Sequence, residues 1–106
     1  MVESNTLDAI FMALADTTRR SILARVAQAE LSIGDIAQHY SLTFAAVSKH
    51  IKVLEKAGLV TKQRRGKEML VFIVPATMTI AQEQLERYAQ LWESRYVKLD
   101  SLLREM

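Results

Sequence analysis

Between Ser32 and Val60 the chain reads SIGDIAQHYSLTFAAVSKHIKVLEKAGLV, which predicts a short helix, a tight turn and a second helix closed by a glycine. No other stretch constrains the fold as tightly, because its capping residues and its apolar spacing agree. Ser32 and Asp35 have the S-x-x-D spacing with which side chains satisfy unpaired first-turn amides. Ile33, Ile36 and Ala37 give that helix an apolar side, and Tyr40, Ser41 and Leu42 make the turn without a glycine. Thr43 is placed to cap the second helix, and Gly58 suits the left-handed position after its last turn. At about 100° per residue, Val47, Ile51 and Leu54 share a core face with Phe44 at its flank. Ala45, Lys49, Lys52 and Lys56 gather at the opposite pole, with Ala46, Ser48 and Val53 on the sides.

A lysine-bearing helix face is in most proteins only a solvated face. Here every charged residue on that face is a cation, and a basic hairpin follows at once. LVTKQRR and EMLVFIV flank Gly66-Lys67, where glycine tolerates the positive φ of a tight turn, and Val60, Val71, Phe72, Ile73 and Val74 favour strand. Pro75 cannot donate to a ladder and ends the second strand. Residues 59–74 therefore predict a hairpin with Lys62, Arg64, Arg65 and Lys67 at or near its tip. A helix-turn-helix followed by such a hairpin is a winged helix, so the expected fold is mainly α, with about five helices and a two-stranded wing.

Charge distribution separates a working basic tip from one kept for solubility. The net charge is only +2, yet residues 32–67 carry seven basic and two acidic side chains, and every other segment is net negative. That concentration is the electrostatic footprint of phosphate binding. It implies a sequence-specific binder of double-stranded DNA, with helix 43–57 in the major groove and the 62–67 wing on the backbone. Recognition helices insert their first turns, so Thr43, Ala45, Ala46, Ser48 and Lys49 are the candidates for base edges. Lys52, Lys56, Lys62, Arg64, Arg65 and Lys67 are the candidates for phosphates. A winged helix can instead serve as a protein–protein interaction module. That role calls for an apolar or acidic recognition face, and the three lysines oppose it.

The outer helices carry a different pattern. Leu7, Ile10, Phe11 and Leu14 form one apolar stripe, and Ile22, Leu23 and Val26 form another. A last helix is expected from about Thr77 or Thr79 to the end of the sequence. On it Leu85, Trp92, Leu99 and Met106 recur every seven residues, and Tyr88, Arg95 and Leu102 fill a second row. Heptad rows favour helix pairing. A helix of about 42 Å is also longer than a small domain needs. The expectation is a single domain, 1–106, whose segment 77–106 forms a homodimer, using Leu7, Ile10, Phe11, Leu85, Tyr88, Trp92, Leu99 and Leu102.

The runs ALADTTRRSILARV, ELSIGDIA, FAAVSKHIKVLEKAGLV and RRGKEMLVFIV, across about residues 7–76, resemble the ArsR/SmtB family of bacterial and archaeal repressors. The tail is similar to one branch, with W-x-x-R and L-D-x-L formed by Trp92, Arg95, Leu99, Asp100 and Leu102. The resemblance implies a homodimeric winged-helix repressor bound to an operator. Thr17 stands where the family usually has proline, but Asp16 can still cap the helix that follows. The larger departure concerns metals. Where the family's metal sensors have E-L-C-x-C-D, this chain has Glu30, Leu31, Ser32, Ile33, Gly34 and Asp35. The chain has no cysteine, and neither of its histidines, His39 and His50, falls on the last helix. Soft metal sites need thiolate or imidazole donors, so no metal and no cofactor is expected, and thiol redox sensing is excluded. No small-molecule effector is specified.

Half of the 106 residues are hydrophobic, enough for one core. No run of about 18 apolar residues predicts a membrane span, and no signal segment is seen, so a cytoplasmic location is expected. No Ser or Cys nucleophile sits beside a plausible base, and there is no glycine-rich phosphate loop, so the chain is not expected to be an enzyme.

Overall fold

The computed structural model describes residues 4–105. In order it runs α1 (Ser4–Leu14), α2 (Thr17–Gln28), β1 (Leu31–Ser32), α3 (Ile33–Tyr40), α4 (Phe44–Lys56), β2 (Val60–Arg65), β3 (Glu68–Ile73) and α5 (Pro75–Arg104). Five helices and a hairpin wing match the expectation. The sheet does not stop at two strands: β1 pairs antiparallel with β3, Leu31 opposite Val71 and Ser32 opposite Leu70, giving the order β1-β3-β2. Two residues are too few to carry a strand period, and Ser32 also begins a helix, so the sequence hides this strand. The last helix starts at Pro75, two to four residues earlier than expected. Proline suits the first helical position, because the amide it lacks would have no partner there. Met106, the end of the heptad row, lies outside the described residues.

Short-range capping sets the corners. Asp16 Oδ2 accepts from the Arg19 amide at 2.9 Å and starts α2, although threonine rather than proline follows it. Arg19 and Arg20 then reach back to α1: Arg19 Nε donates to the Ala13 carbonyl at 2.7 Å, and Arg20 Nη1 to that of Leu14 at 2.7 Å. These are carbonyls that a helix end leaves unpaired. Ser32 and Asp35 form the reciprocal capping box, each bond 3.0 Å. Both helices of the helix-turn-helix then close in one way. After α3, Ser41 takes a left-handed φ of 55°, and the Leu42 amide donates to the Ala37 carbonyl at 3.0 Å. After α4, Gly58 takes φ 78°, and the Leu59 amide donates to the Leu54 carbonyl at 3.0 Å. The serine does at roughly 1 kcal/mol of backbone strain what glycine does freely.

The core lies where α2, α3 and α4 meet the sheet. It contains Ile22, Leu23, Val26, Ile33, Ile36, Val47, Ile51, Leu54, Leu59, Val60 and Val71, joined by Ile10 and Ala13 of α1 and Ala81 of α5. Ile10, expected on the pairing surface, is fully buried in this core and offers nothing to a partner chain. It turns inward because α1 packs on both α2 and α4. Leu7 and Phe11 are half-buried. Past Ala81, α5 leaves the core. Its start is fixed to the end of α4, where Thr77 Oγ1 donates to the Gly58 carbonyl at 2.6 Å and the Val74 amide to that of Leu59 at 2.9 Å. The orientation of α4 is thereby tied to that of α5.

Candidate nucleic-acid interface

Val47, Ile51 and Leu54 are wholly buried, so they fix the rotation of α4 about its axis and leave its opposite pole outward. Ala45, Lys49, Lys52 and Lys56 are exposed there, as is Thr43, whose Oγ1 accepts from the Ala46 amide at 3.0 Å. Ala46 and Ser48 are half-buried at the sides. Thr43 is therefore first a cap. Ser48 faces the wing rather than the pole.

The wing is built on the register Lys62–Val71, Arg64–Met69 and Arg65–Glu68, with Gly66 at φ 62° in the turn. Successive strand residues point to opposite faces. Lys62 and Arg64 accordingly line a cleft against α4, together with Lys67, Phe44 and Ser48, and its floor is the start of α3. Arg65 points the other way. The seven cations of this region are not equivalent. Lys62 Nζ lies 3.3 Å from Glu55 Oε1, pinning the wing to α4, and Arg65 Nη1 pairs with Glu30, which precedes β1. Exposed pairs of this kind contribute up to about 1 kcal/mol each, so they tether the wing more than they stabilise the fold. Lys49, Lys52, Lys56, Arg64 and Lys67 have no ion-pair partner among the described residues.

Sequence reasoning treated the wing cations alike, since the pair joining Arg65 to Glu30 spans 35 residues and leaves no local pattern. It put Phe44 at the flank of the core face, and the ring is 59% exposed there, in the cleft with the wing, which spacing does not reveal.

Two carboxylates hold the starts of α2 and α3. Asp35 is kept below the usual carboxylate range, first by the Ser32 amide and then by the Ser32 hydroxyl. Asp16 is lowered first by the Arg19 amide, with the charges of Arg19 and His50 helping. His50, on α4, places Nδ1 4.0 Å from Asp16 Oδ2 and so links α4 to the start of α2. His39 is exposed, its ring edge-on to Tyr40. Among the described residues, no three of His, Asp and Glu come together closely enough to hold a metal ion.

A second surface lies on α5. Leu85, Tyr88, Trp92, Leu99 and Leu102 are each more than half exposed, as are Leu91, Tyr96, Val97 and Leu103. At about 100° per residue, Leu85, Tyr88, Tyr96, Leu99 and Leu103 fall within about 40° of Trp92. An apolar stripe this continuous is more than a monomer normally leaves in water. At its foot, Leu14, Met78, Ala81, Leu85 and Ala89 line an open notch between α1 and α5. No helix among the described residues is long and apolar enough to cross a membrane.

The profile of the bacterial regulatory protein arsR family matches residues 16–62, from the α2 cap into the wing. The chain is similar to the HTH-type transcriptional regulator Rv2034 of Mycobacterium tuberculosis, 35% identical over 82% of this chain and 89% of that one. It is similar to the transcriptional repressor SdpR of Bacillus subtilis, 33% identical over 54% of this chain and 63% of that one. Among solved structures, an ArsR-like transcriptional regulator from Rhodococcus sp. RHA1 superposes with a TM-score of 0.84 at 27% identity, covering 96% of this chain and 94% of that one. The homodimeric winged helix-turn-helix DNA-binding domain Mb0332 of Mycobacterium bovis gives 0.66 at 25% identity, with 82% of each chain covered.

Proposed function

Because the chain belongs to the ArsR family and is a transcriptional regulator rather than an enzyme, we propose that it works as a homodimeric repressor on a palindromic DNA operator. In this reading α4 enters the major groove, and the wing grips the flanking backbone. The observation that carries it is the outward pole of α4, where Lys49, Lys52 and Lys56 stand exposed with no carboxylate partner among the described residues. A helix held by its buried face, with unpaired cations on the other, is built to meet phosphates and base edges. Ala45 and Lys49 are the residues at the bases, supported by Thr43, Ala46 and Ser48; Lys52, Lys56, Arg64 and Lys67 are at phosphates, with Lys62 and Arg65 behind them.

Pairing is assigned to α5, from the exposed stripe of Leu85, Tyr88, Trp92, Leu99 and Leu102, with Leu7 and Phe11 alongside. The homodimeric Mycobacterium bovis domain supports it, as SdpR supports repression, which follows when operator occupancy excludes polymerase. A DNA ligand supports a cytoplasmic location for the protein.

The test is selection of bound sites from a random duplex pool, repeated with Lys49→Ala. Lys49 can donate to guanine O6 and N7, so the variant should lose about 1–3 kcal/mol on the selected site and relax preference at one base position per half-site. A motif of unchanged information content removes Lys49 from base reading. No binding of any duplex at low salt would turn the wing and α4 toward a protein partner instead.

A further inference from the structure

The reading helix opens on an aromatic ring that the protomer does not use. Phe44 is the first residue of α4, is 59% exposed and lines the cleft between α4 and the wing beside Ser48, Lys62, Arg64 and Lys67. The inward face of α4 is already filled by Val47, Ile51 and Leu54, all wholly buried. The pairing surface of α5 does not reach it either. That helix is fastened to the other end of α4, at Gly58, about 20 Å along the axis. The ring thus stands at the end of α4 that enters a groove first, in a cleft whose other walls carry three cations and two carboxylates, Asp35 and Glu68, beside the apolar Ile33 and Met69.

We propose that Phe44 reads a thymine through its C5-methyl group. This rests on the DNA reading of α4. The ring has no donor or acceptor, so it cannot distinguish bases by hydrogen bonding. Thymine alone among the four presents a methyl group in the major groove, and apolar contact is how a protein recognises it. The cations around the ring hold the phosphates and so bring the base edge to it, while Ser48, one turn on, faces the same side. Phe44 therefore determines specificity, and the wing cations determine strength.

The experiment uses the full chain and its selected site. Each thymine is replaced singly by deoxyuridine, which pairs identically and lacks the methyl, and affinity is measured for the wild type and for Phe44→Ala. At one thymine per half-site the wild type should lose about fourfold, the worth of one buried methyl. Phe44→Ala should lose nothing there, while its salt slope and circular dichroism match the wild type. If alanine disturbs the first turn, Phe44→Gln, which keeps the bulk without the apolar edge, gives the same comparison. A scan in which both proteins lose equally at every thymine, or neither loses at any, overturns the inference and leaves the DNA reading standing. A pool from which the wild type enriches no motif overturns both.

Discussion

Removing Arg64 and Lys67 together should flatten the salt dependence of DNA binding by an amount that follows from the wing's geometry. These two wing cations have no carboxylate partner among the described residues, whereas Lys62 is paired with Glu55 and Arg65 with Glu30. Each phosphate contact releases counterions and adds about 0.9 to the slope of log affinity against log salt. Arg64→Ala with Lys67→Ala removes two contacts per protomer, or about 3.6 in slope for a dimer. Between 50 and 200 mM salt, the wild type should then lose about 150-fold more affinity than the variant. Fluorescence anisotropy at four salt concentrations, on the selected site and on random duplex, measures both slopes. The loss should be nearly the same on both sequences, since phosphates carry no sequence. Arg65→Ala should change the slope less, because that guanidinium faces away from the cleft and is neutralised by Glu30. A double variant with the wild-type slope would refute the wing contact, and one weakened only on the selected site would show base reading instead.

Other expectations follow from single features. Asp35 has a folded pKa below its ordinary 3.8, so the stability it contributes is complete above that value and is lost as pH falls through the lower folded one. Urea midpoints of wild type and Asp35→Asn should converge as pH drops from 6 to 3, and a constant gap would contradict the capping box. Ser41→Gly should raise stability by about 0.5–1 kcal/mol in the same assay, because the left-handed φ of 55° then costs nothing; a loss would mean that the serine side chain holds the turn. Trp92→Glu with Leu99→Glu should run at the 12.0 kDa monomer mass in light scattering, with most helicity kept, while the wild type runs at twice that. A wild-type monomer at micromolar concentration would remove α5 as a pairing surface.

The parts of this fold legible in the sequence are those fixed over a few residues. Thr43, the Ser32–Asp35 box and Gly58 each act within about one turn, so spacing alone located them. The lysine pole of α4 was legible because Val47, Ile51 and Leu54 determine which way it faces. Longer-range facts were not. The pairing of Leu31 with Val71, the bond between Arg65 and Glu30, and the burial of Ile10 all depend on which surfaces meet after the chain has folded. Phe44 was placed at the flank of that face, and the cleft its ring lines depends in the same way on where the wing packs.

The central claim is that two copies of α4, held by paired α5 helices, read one operator from one side. Hydroxyl-radical footprinting on the selected site, with protein stoichiometry taken from the same titration, tests it most directly. The account predicts two protected patches related by a two-fold axis, centred about 34 Å or about 10 base pairs apart on one face of the duplex, with two chains per site. A single protected patch occupied by one chain, or uniform protection along the duplex, would contradict it.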